Sequence, residues 1–387
     1  MAQAILQFGT SRFLQAHVDL FVHEALAGVA GAGEALGGIT VVQTTDRADG
    51  AARIAALAAG GGYPVRIRGL AGGKRIDRTI MCTAVREAWQ ASAQWPALRA
   101  AVAGEVQVIV SNTADKGYLL DERDGPGALD AESAAPHSFP AKLLVLLHGR
   151  WQAQTHGPHP PRAPLTLLPC ELIERNGEVL RDVVAGLARD WRMPQDFMDW
   201  LTQHCVWANS LVDRIVSEAI APVGAVAEPY AVWVVERQAR LVMPCSHPAI
   251  VLTDDLDFYE RLKLFLLNAG HTWLAERWLE RGLPAGLTVR EAMADPALRA
   301  GLEALWAEEI LPVFDVLGAA ARQQAEAYLV DVRERFSNPF LDHRIADIAQ
   351  NHAQKKQRRL GPIVALAAAR APQLSQPGLK AALASAF

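Results

Sequence analysis

The first 43 residues constrain the fold most. An apolar strand over Ala4 to Phe8 runs into Gly9-Thr-Ser11-Arg12-Phe13, and a helical pattern follows in Leu14, Val18, Phe21, Val22, Ala25 and Leu26. An Ala/Gly-rich connection leads to a second apolar strand, Ile39 to Gln43. Strand, glycine turn, helix and strand make a βαβ unit, whose crossover forces the two strands to run parallel. Further strands are predicted at Tyr63 to Arg68, Thr79 to Val85, Val106 to Val110 and Leu165 to Pro169, with helical stretches between several of them. The predicted class is therefore α/β with a mostly parallel sheet. Two polar loops, Asp121 to Pro136 and Thr155 to Pro164, read as surface excursions.

After about residue 225 strand patterns nearly stop and helical periodicity takes over. Helices are predicted at Leu256 to Arg281, Val289 to Met293, Pro296 to Val316, Ala319 to Phe336, Arg344 to Asn351 and Pro362 to Ala371. The expected division is a sheet domain over residues 1–225 and a mainly helical domain over 226–387.

A chain of 387 residues, 51% hydrophobic, has enough apolar material for two cores. Its formal charge of −4 argues against nucleic acid as a partner, and the run Lys355-Lys356-Gln-Arg358-Arg359 reads as a solvated helix face. Four widely spaced cysteines, Cys82, Cys170, Cys205 and Cys245, form no metal-binding pattern and read as buried thiols of a reducing compartment. The start has no signal-peptide pattern and no apolar run is long enough for a membrane helix, so a soluble, cytoplasmic protein is expected. The patterns of zincins, serine hydrolases of the GxSxG type and P-loop proteins are missing.

Three segments are candidates for a nucleotide crevice. Gly9-Thr-Ser11-Arg12-Phe13 lies where a dinucleotide fold brings backbone N–H groups to a pyrophosphate. Ser11 stands at the second glycine of the usual pattern and Leu14 at the third, so a plain strand-to-helix turn fits equally well. Asp46 follows the second strand, where an acid commonly bonds ribose hydroxyls, while the adjacent Arg47 could receive a 2′-phosphate. NAD is expected and NADP stays open. Asn112 and Thr113 end another strand and could touch a nicotinamide ribose or merely cap the next segment. Asn176, before Gly177-Glu178, could contribute to the cofactor site or only form a turn.

The stretch Lys263-Leu-Phe-Leu-Leu-Asn268-Ala-Gly-His271 carries the chemistry. At about 100° per residue, Asn268 lies roughly 140° around a helix from Lys263 and His271 roughly 80°. All three project from one side, with Glu260 one turn before. A buried lysine can act as a base near neutral pH. An asparagine amide can hold a carbonyl or alkoxide oxygen, and a histidine can bond a neighbouring hydroxyl. Together they suit moving a proton and a hydride at a secondary alcohol.

These residues resemble the polyol-specific long-chain dehydrogenase/reductases, the mannitol dehydrogenase family that includes tagaturonate reductases. The resemblance covers Gln7-Phe-Gly9-Thr-Ser-Arg-Phe13 with Ala16-His17, then Ser111-Asn112-Thr113, Asn176-Gly177-Glu178 and Asn209-Ser-Leu-Val-Asp213-Arg214-Ile215. It continues through Lys263-x4-Asn268-x2-His271 and Arg335-Phe-Ser-Asn338-Pro339. It implies a Rossmann-type first domain, a helical second domain, NAD and metal-independent catalysis. It implies Lys263 as general base, Asn209 and Asn268 as the oxyanion-stabilising pair, His271 at the substrate, Glu260 passing the proton to solvent and Lys355 contacting substrate. Eight residues before Lys355 the mannitol branch has an arginine; Asp347 stands here. Together with Pro169-Cys170-Glu171-Leu172-Ile173, that places the chain nearer the tagaturonate branch. A sugar acid is then the expected substrate, with Lys355 to meet its carboxylate and Arg344 or Lys356 as alternatives. An uncharged polyol, or a dinucleotide-binding sensor without turnover, are the rival expectations. Oligomeric state is not legible.

Overall fold

The computed structural model describes residues 4–113, 116–157 and 164–387, so most of the Thr155 to Pro164 loop lies outside the described residues. The chain forms strands β1 (Ile5–Phe8), β2 (Ile39–Gln43), β3 (Tyr63–Ala71), β4 (Lys74–Cys82), β5 (Val85–Gln90), β6 (Val108–Ser111) and β7 (Leu165–Pro169). It continues with β8 (Cys205–Trp207), β9 (Ser210–Asp213), β10 (Val216–Ala219), β11 (Ala225–Ala227), β12 (Val232–Glu236) and β13 (Ile250–Thr253).

The main sheet has the order β5-β2-β1-β6-β7-β8, and every pairing in it is parallel. β1, β2, β6 and β7 are buried at every residue, as expected of strands covered on both faces. β1 sits between β2 and β6, with Ile5 opposite Ile39 on one side and Val108 on the other. The chain leaves β1 for one side and returns on the other. The carboxyl ends of β1 and β6 therefore flank the switch point where open α/β sheets hold ligands.

Several expectations are corrected. Tyr63 to Arg68 is a strand, but β3 belongs to a second sheet of order β10-β11-β3-β4. The single strand expected over Thr79 to Val85 is the end of β4 and the start of β5, with a break at Thr83-Ala84. Strands do not stop near 225: β12 pairs with β13 and with β9 in a third sheet. These short strands are invisible to local periodicity because their partners lie elsewhere in the chain.

The chain packs as two compact units. One comprises residues 1–67, 78–227 and 231–256; the other 68–77, 228–230 and 257–387. The main division thus falls after Leu256, where the sequence reading put it at 225, because the β9-β12-β13 sheet keeps residues 231–256 with the first unit.

A buried acid in the first unit gives a pH test. Asp19, on helix Val18–Leu26, is 1% exposed. The Tyr63 hydroxyl donates to its Oδ2 at 2.6 Å, and burial pushes the carboxyl up to about 7. The unfolded chain ionises this group near its ordinary value while the folded protein keeps the proton. Its contribution to stability is therefore full below about pH 4 and is lost as pH rises towards 7, by up to ~1.4 kcal/mol per pH unit. Asp19→Asn should flatten the dependence of stability on pH between 4.5 and 6.5, read from urea melts. Parallel curves for the two proteins would refute the assignment.

The second unit is helical around a core that includes Phe265, Leu266, Trp306, Phe314, Leu329 and Phe336. The predicted helix from Leu256 to Arg281 is not one α-helix. Leu256–Leu262 and Ala269–Arg281 are α-helical, and Lys263–Asn268 between them is π-wound. The Ala269 N–H reaches back five residues to the Leu264 carbonyl, the signature of that winding. Pro296 to Val316 is likewise interrupted by a π segment, Leu305–Ile310. The two π segments meet where the Trp306 indole N–H donates to the Leu266 carbonyl at 3.1 Å. Gly270 is the close-approach residue beside them, since a Cβ there would lie 2.8 Å from the Trp306 ring. Arg344 to Asn351 shortens to Ile345–Ile348; the basic run Lys355 to Arg359 lies on helix His352–Arg359, but it is not wholly solvated, since Lys356 is buried, and helix Pro377–Ala384 was not anticipated. Among the described residues no helix is long and apolar enough to cross a membrane, and all four cysteines are buried and free.

Candidate active site

In the first unit the Gly9 turn meets the end of β6. Gly9 has φ +116°, and a Cβ there would stand 2.5 Å from the Asn112 carbonyl oxygen. Only glycine lets the two strand ends come this close. Ser11 caps the four-residue helix Arg12–Gln15 by accepting from the Leu14 N–H, and its hydroxyl donates to Asn112 Oδ1 at 3.2 Å. Asn112 Nδ2 donates to the Cys170 carbonyl at 2.7 Å, which joins the ends of β6 and β7. Arg12 is exposed and Phe13 stacks on the buried His17, with ring centroids 4.7 Å apart.

Asp46 is exposed at the end of β2, and its Oδ1 accepts from Gln90 Nε2 at 2.7 Å and from Ser92 Oγ at 2.5 Å. Among the described residues its second oxygen accepts from no protein group, so a ribose hydroxyl could bond there. Arg53 was not anticipated. Its guanidinium donates to the Thr10 hydroxyl at 3.1 Å, placing a half-buried cation beside the Gly9 turn. Nothing in its sequence position marks it, because the contact depends on how helix Ala48–Ala58 packs. The cradle at Gly9, the open side of Asp46 and the Arg53 cation fit a dinucleotide.

Two expected cofactor residues are held by the protein itself. The Thr113 N–H and hydroxyl both donate to Glu171 Oε1 at 2.9 Å. Ser111 and Tyr118 donate to the other Glu171 oxygen at 3.0 and 3.2 Å. Asn176 is 1% exposed. Its Nδ2 faces the carbonyls of Pro169, Glu171 and Ser210 at 3.1, 3.1 and 2.9 Å, and its Oδ1 accepts the Ser210 N–H at 2.9 Å. It pins the end of β7 to β9 and offers a cofactor no spare donor.

Asn209 is fully buried in the first unit. Its Oδ1 accepts the Glu178 N–H at 3.1 Å, and its Nδ2 donates to Glu236 at 2.7 Å and to Glu178 at 3.3 Å. Gly177 allows this, since a Cβ there would lie 2.5 Å from the Ala208 backbone. Arg175 pairs with Glu178 and holds its carboxyl down at about 2. Arg214 donates to the Ala16 carbonyl at 2.5 Å within the first unit.

In the second unit the π winding changes the angle expected between Lys263 and Asn268. Closure from i to i+5 puts Asn268 one widened turn above Lys263, nearer its line than the roughly 140° of an α-helix. Lys263 and Asn268 are half-buried, not enclosed. Among the described residues the Asn268 side-chain amide has no hydrogen-bond partner. His271 is 7% exposed, stacks on Phe336 at 4.3 Å and meets His343 edge-on at 4.9 Å. His343 was not anticipated; burial lowers its pKa. Glu260, half-buried, lies one α-turn before Lys263.

The expected carboxylate-binding group divides. Asp347 and Arg344 are both exposed. Lys355 is half-buried on helix His352–Arg359 and donates to the Ile348 carbonyl at 2.8 Å. Lys356, the next residue, is 2% exposed and 3.3 Å from Glu276. Glu276 also accepts from His352 at 2.7 Å, and Lys356 donates to Ser385 Oγ at 2.6 Å. Lys356 therefore serves a buried structural cluster and is withdrawn as a substrate ligand.

The Rossmann domain of mannitol dehydrogenase matches residues 3–244 and its C-terminal domain matches residues 255–387. The altronate oxidoreductase of Halalkalibacterium halodurans is 30% identical over 94% of this chain and 70% of its own length. That of Klebsiella pneumoniae (strain 342) is 31% identical over 98% of this chain and 78% of its own. In fold, the chain is similar to a substrate-free D-sorbitol dehydrogenase, with a TM-score of 0.76 at 23% identity over 94% of this chain and 76% of that one. The Pseudomonas fluorescens mannitol 2-dehydrogenase, solved with NAD and D-mannitol, gives 0.70 at 19% identity over 99% and 78%. With both domains matched along nearly the whole chain, and relatives of this identity and coverage, the protein belongs to the mannitol dehydrogenase family.

Proposed function

We propose that the protein is an NAD(H)-dependent oxidoreductase that interconverts a keto-hexuronate and its sugar alcohol acid, with tagaturonate and altronate as the leading pair and fructuronate and mannonate next. The observation that carries this reading is the half-buried Lys263 with the unspent Asn268 amide one π-turn above it, in a chain whose relatives are named altronate oxidoreductases. The bound nicotinamide supplies or accepts the hydride. Lys263 gives a proton to the carbonyl oxygen in reduction and takes it back in oxidation. Asn268 stabilises the oxyanion by its amide N–H, since a donor with no protein partner breaks no protein hydrogen bond on binding. Asn209 is proposed with it on family resemblance, and would exchange one bond to Glu178 or Glu236 for the substrate oxygen. His271 contacts substrate, and Glu260 relays the proton to solvent. Gly9, Ser11, Asn112, Asp46 and Arg53 are the proposed cofactor contacts. Asp46 supports NAD over NADP, because a carboxylate repels a 2′-phosphate.

The test is a panel of keto-hexuronates and uncharged ketohexoses, each followed by oxidation of NADH and NADPH. The expected result is kcat/KM highest with a keto-hexuronate and NADH. Preference for fructose would replace this reading by a polyol 2-dehydrogenase, and NADH binding without turnover would indicate a sensor.

A further inference from the structure

Besides Lys355, helix His352–Arg359 carries Arg359, which the sequence places in a basic run expected to be solvated. Arg359 stands four residues after Lys355, so the two share one face of the helix. Arg359 is half-buried, and its guanidinium donates to Thr272 Oγ1 at 3.3 Å. That hydroxyl in turn donates to the Asn268 carbonyl at 2.9 Å. Arg359 is thus linked through the Thr272 hydroxyl to the backbone of Asn268, in the first turn of the helix that bears His271. A guanidinium has five donors, and one contact accounts for few of them.

Among the described residues no carboxylate pairs with Arg359 or Lys355. Burial lowers the pKa of both, and each also feels a like charge, Arg358 on Arg359 and Arg359 on Lys355. Two half-buried cations side by side without a counter-charge are costly unless an anion completes them. Arg358, by contrast, is exposed, and Lys356 is neutralised by Glu276.

We propose that Arg359, with Lys355 beside it, binds the substrate's carboxylate and so makes the enzyme select sugar acids over uncharged ketoses. The inference rests on the sugar-acid reading above and adds a specificity residue to it. A planar guanidinium can meet a carboxylate through two parallel hydrogen bonds, which an ammonium cannot do.

The experiment compares wild type, Arg359→Gln and Arg359→Lys with NADH, using tagaturonate and fructuronate against tagatose and fructose. Arg359→Gln should raise KM for the acid roughly 10- to 150-fold, the range for losing a hydrogen bond to a charged group. The ratio of kcat/KM for acid over ketose should fall by a similar factor, and Arg359→Lys should lie between. Equal losses on acid and ketose, or no loss on either, would overturn the proposal. Should Arg359→Gln fail to fold by circular dichroism, the ratio in Arg359→Lys decides alone. Turnover of ketoses but of no hexuronate by wild type would overturn the sugar-acid reading and this proposal with it. Hexuronate turnover unaffected by either substitution would overturn the role of Arg359 and leave that reading standing.

Discussion

Lys263→Ala is expected to lower kcat by about 10²–10⁴-fold, the usual worth of a positioned acid–base group. The NADH dissociation constant should change by less than about threefold, since uniform cofactor binding does not depend on the proton-transfer group. The π segment supports a selective effect. Lys263 opens it, Asn268 closes it, and Phe265, Leu266 and Leu267 between them are buried in the helical core. Truncating a half-buried side chain at one end of that segment leaves its apolar anchors in place. Single-turnover oxidation of NADH with a keto-hexuronate, beside a fluorescence titration of NADH alone, separates chemistry from binding. A variant that kept more than about a tenth of wild-type turnover would move the proton transfer of the proposed mechanism to another group.

Gly9→Ala should act on the other half of the chemistry. The alanine meets two penalties at once: a backbone at φ +116° and a Cβ 2.5 Å from the Asn112 oxygen. A strained φ costs about 1–3 kcal/mol, and forcing atoms into a packed site costs a similar amount. A loss of roughly 2–6 kcal/mol in stability is expected. The NADH dissociation constant should rise by at least about tenfold, because the strand ends that flank the switch point must separate. Gly28 is the control: it also has a positive φ, +65°, but nothing lies within 4 Å of its added Cβ. Gly28→Ala should pay only the backbone strain and leave NADH binding unchanged. Equal effects of the two substitutions on NADH binding would show that the contact with Asn112 is irrelevant to the cofactor.

Much of the fold was legible because its signals are local. The strands at Ile5, Ile39 and Leu165 are mostly apolar runs, and the turn at Gly9 is marked by its own glycine. β12 and β13 were missed because neither is stable by itself; each exists through partners distant in sequence. The π winding at Lys263–Asn268 was missed for a related reason. Its carbonyl at Leu266 is satisfied by an indole from Trp306, forty residues on.

The candidate site shows the same boundary. Residue types and spacing along Lys263, Asn268 and His271 pointed by themselves to proton and hydride chemistry. They could not show which polar atoms remained available. Asn176 and Thr113 are bound to their own protein, while the Asn268 amide has no protein partner among the described residues. Lys356 and Arg359 sit three residues apart on one helix, yet one is enclosed against Glu276 and the other reaches the Thr272 hydroxyl. The sequence by itself determined the parallel sheet and the helical second half and pointed to the triplet proposed as catalytic, because period, turn chemistry and side-chain type are properties of neighbouring residues. Only the tertiary structure decided which groups are free to meet a ligand, because burial and hydrogen-bond partners are supplied by segments far away in the chain.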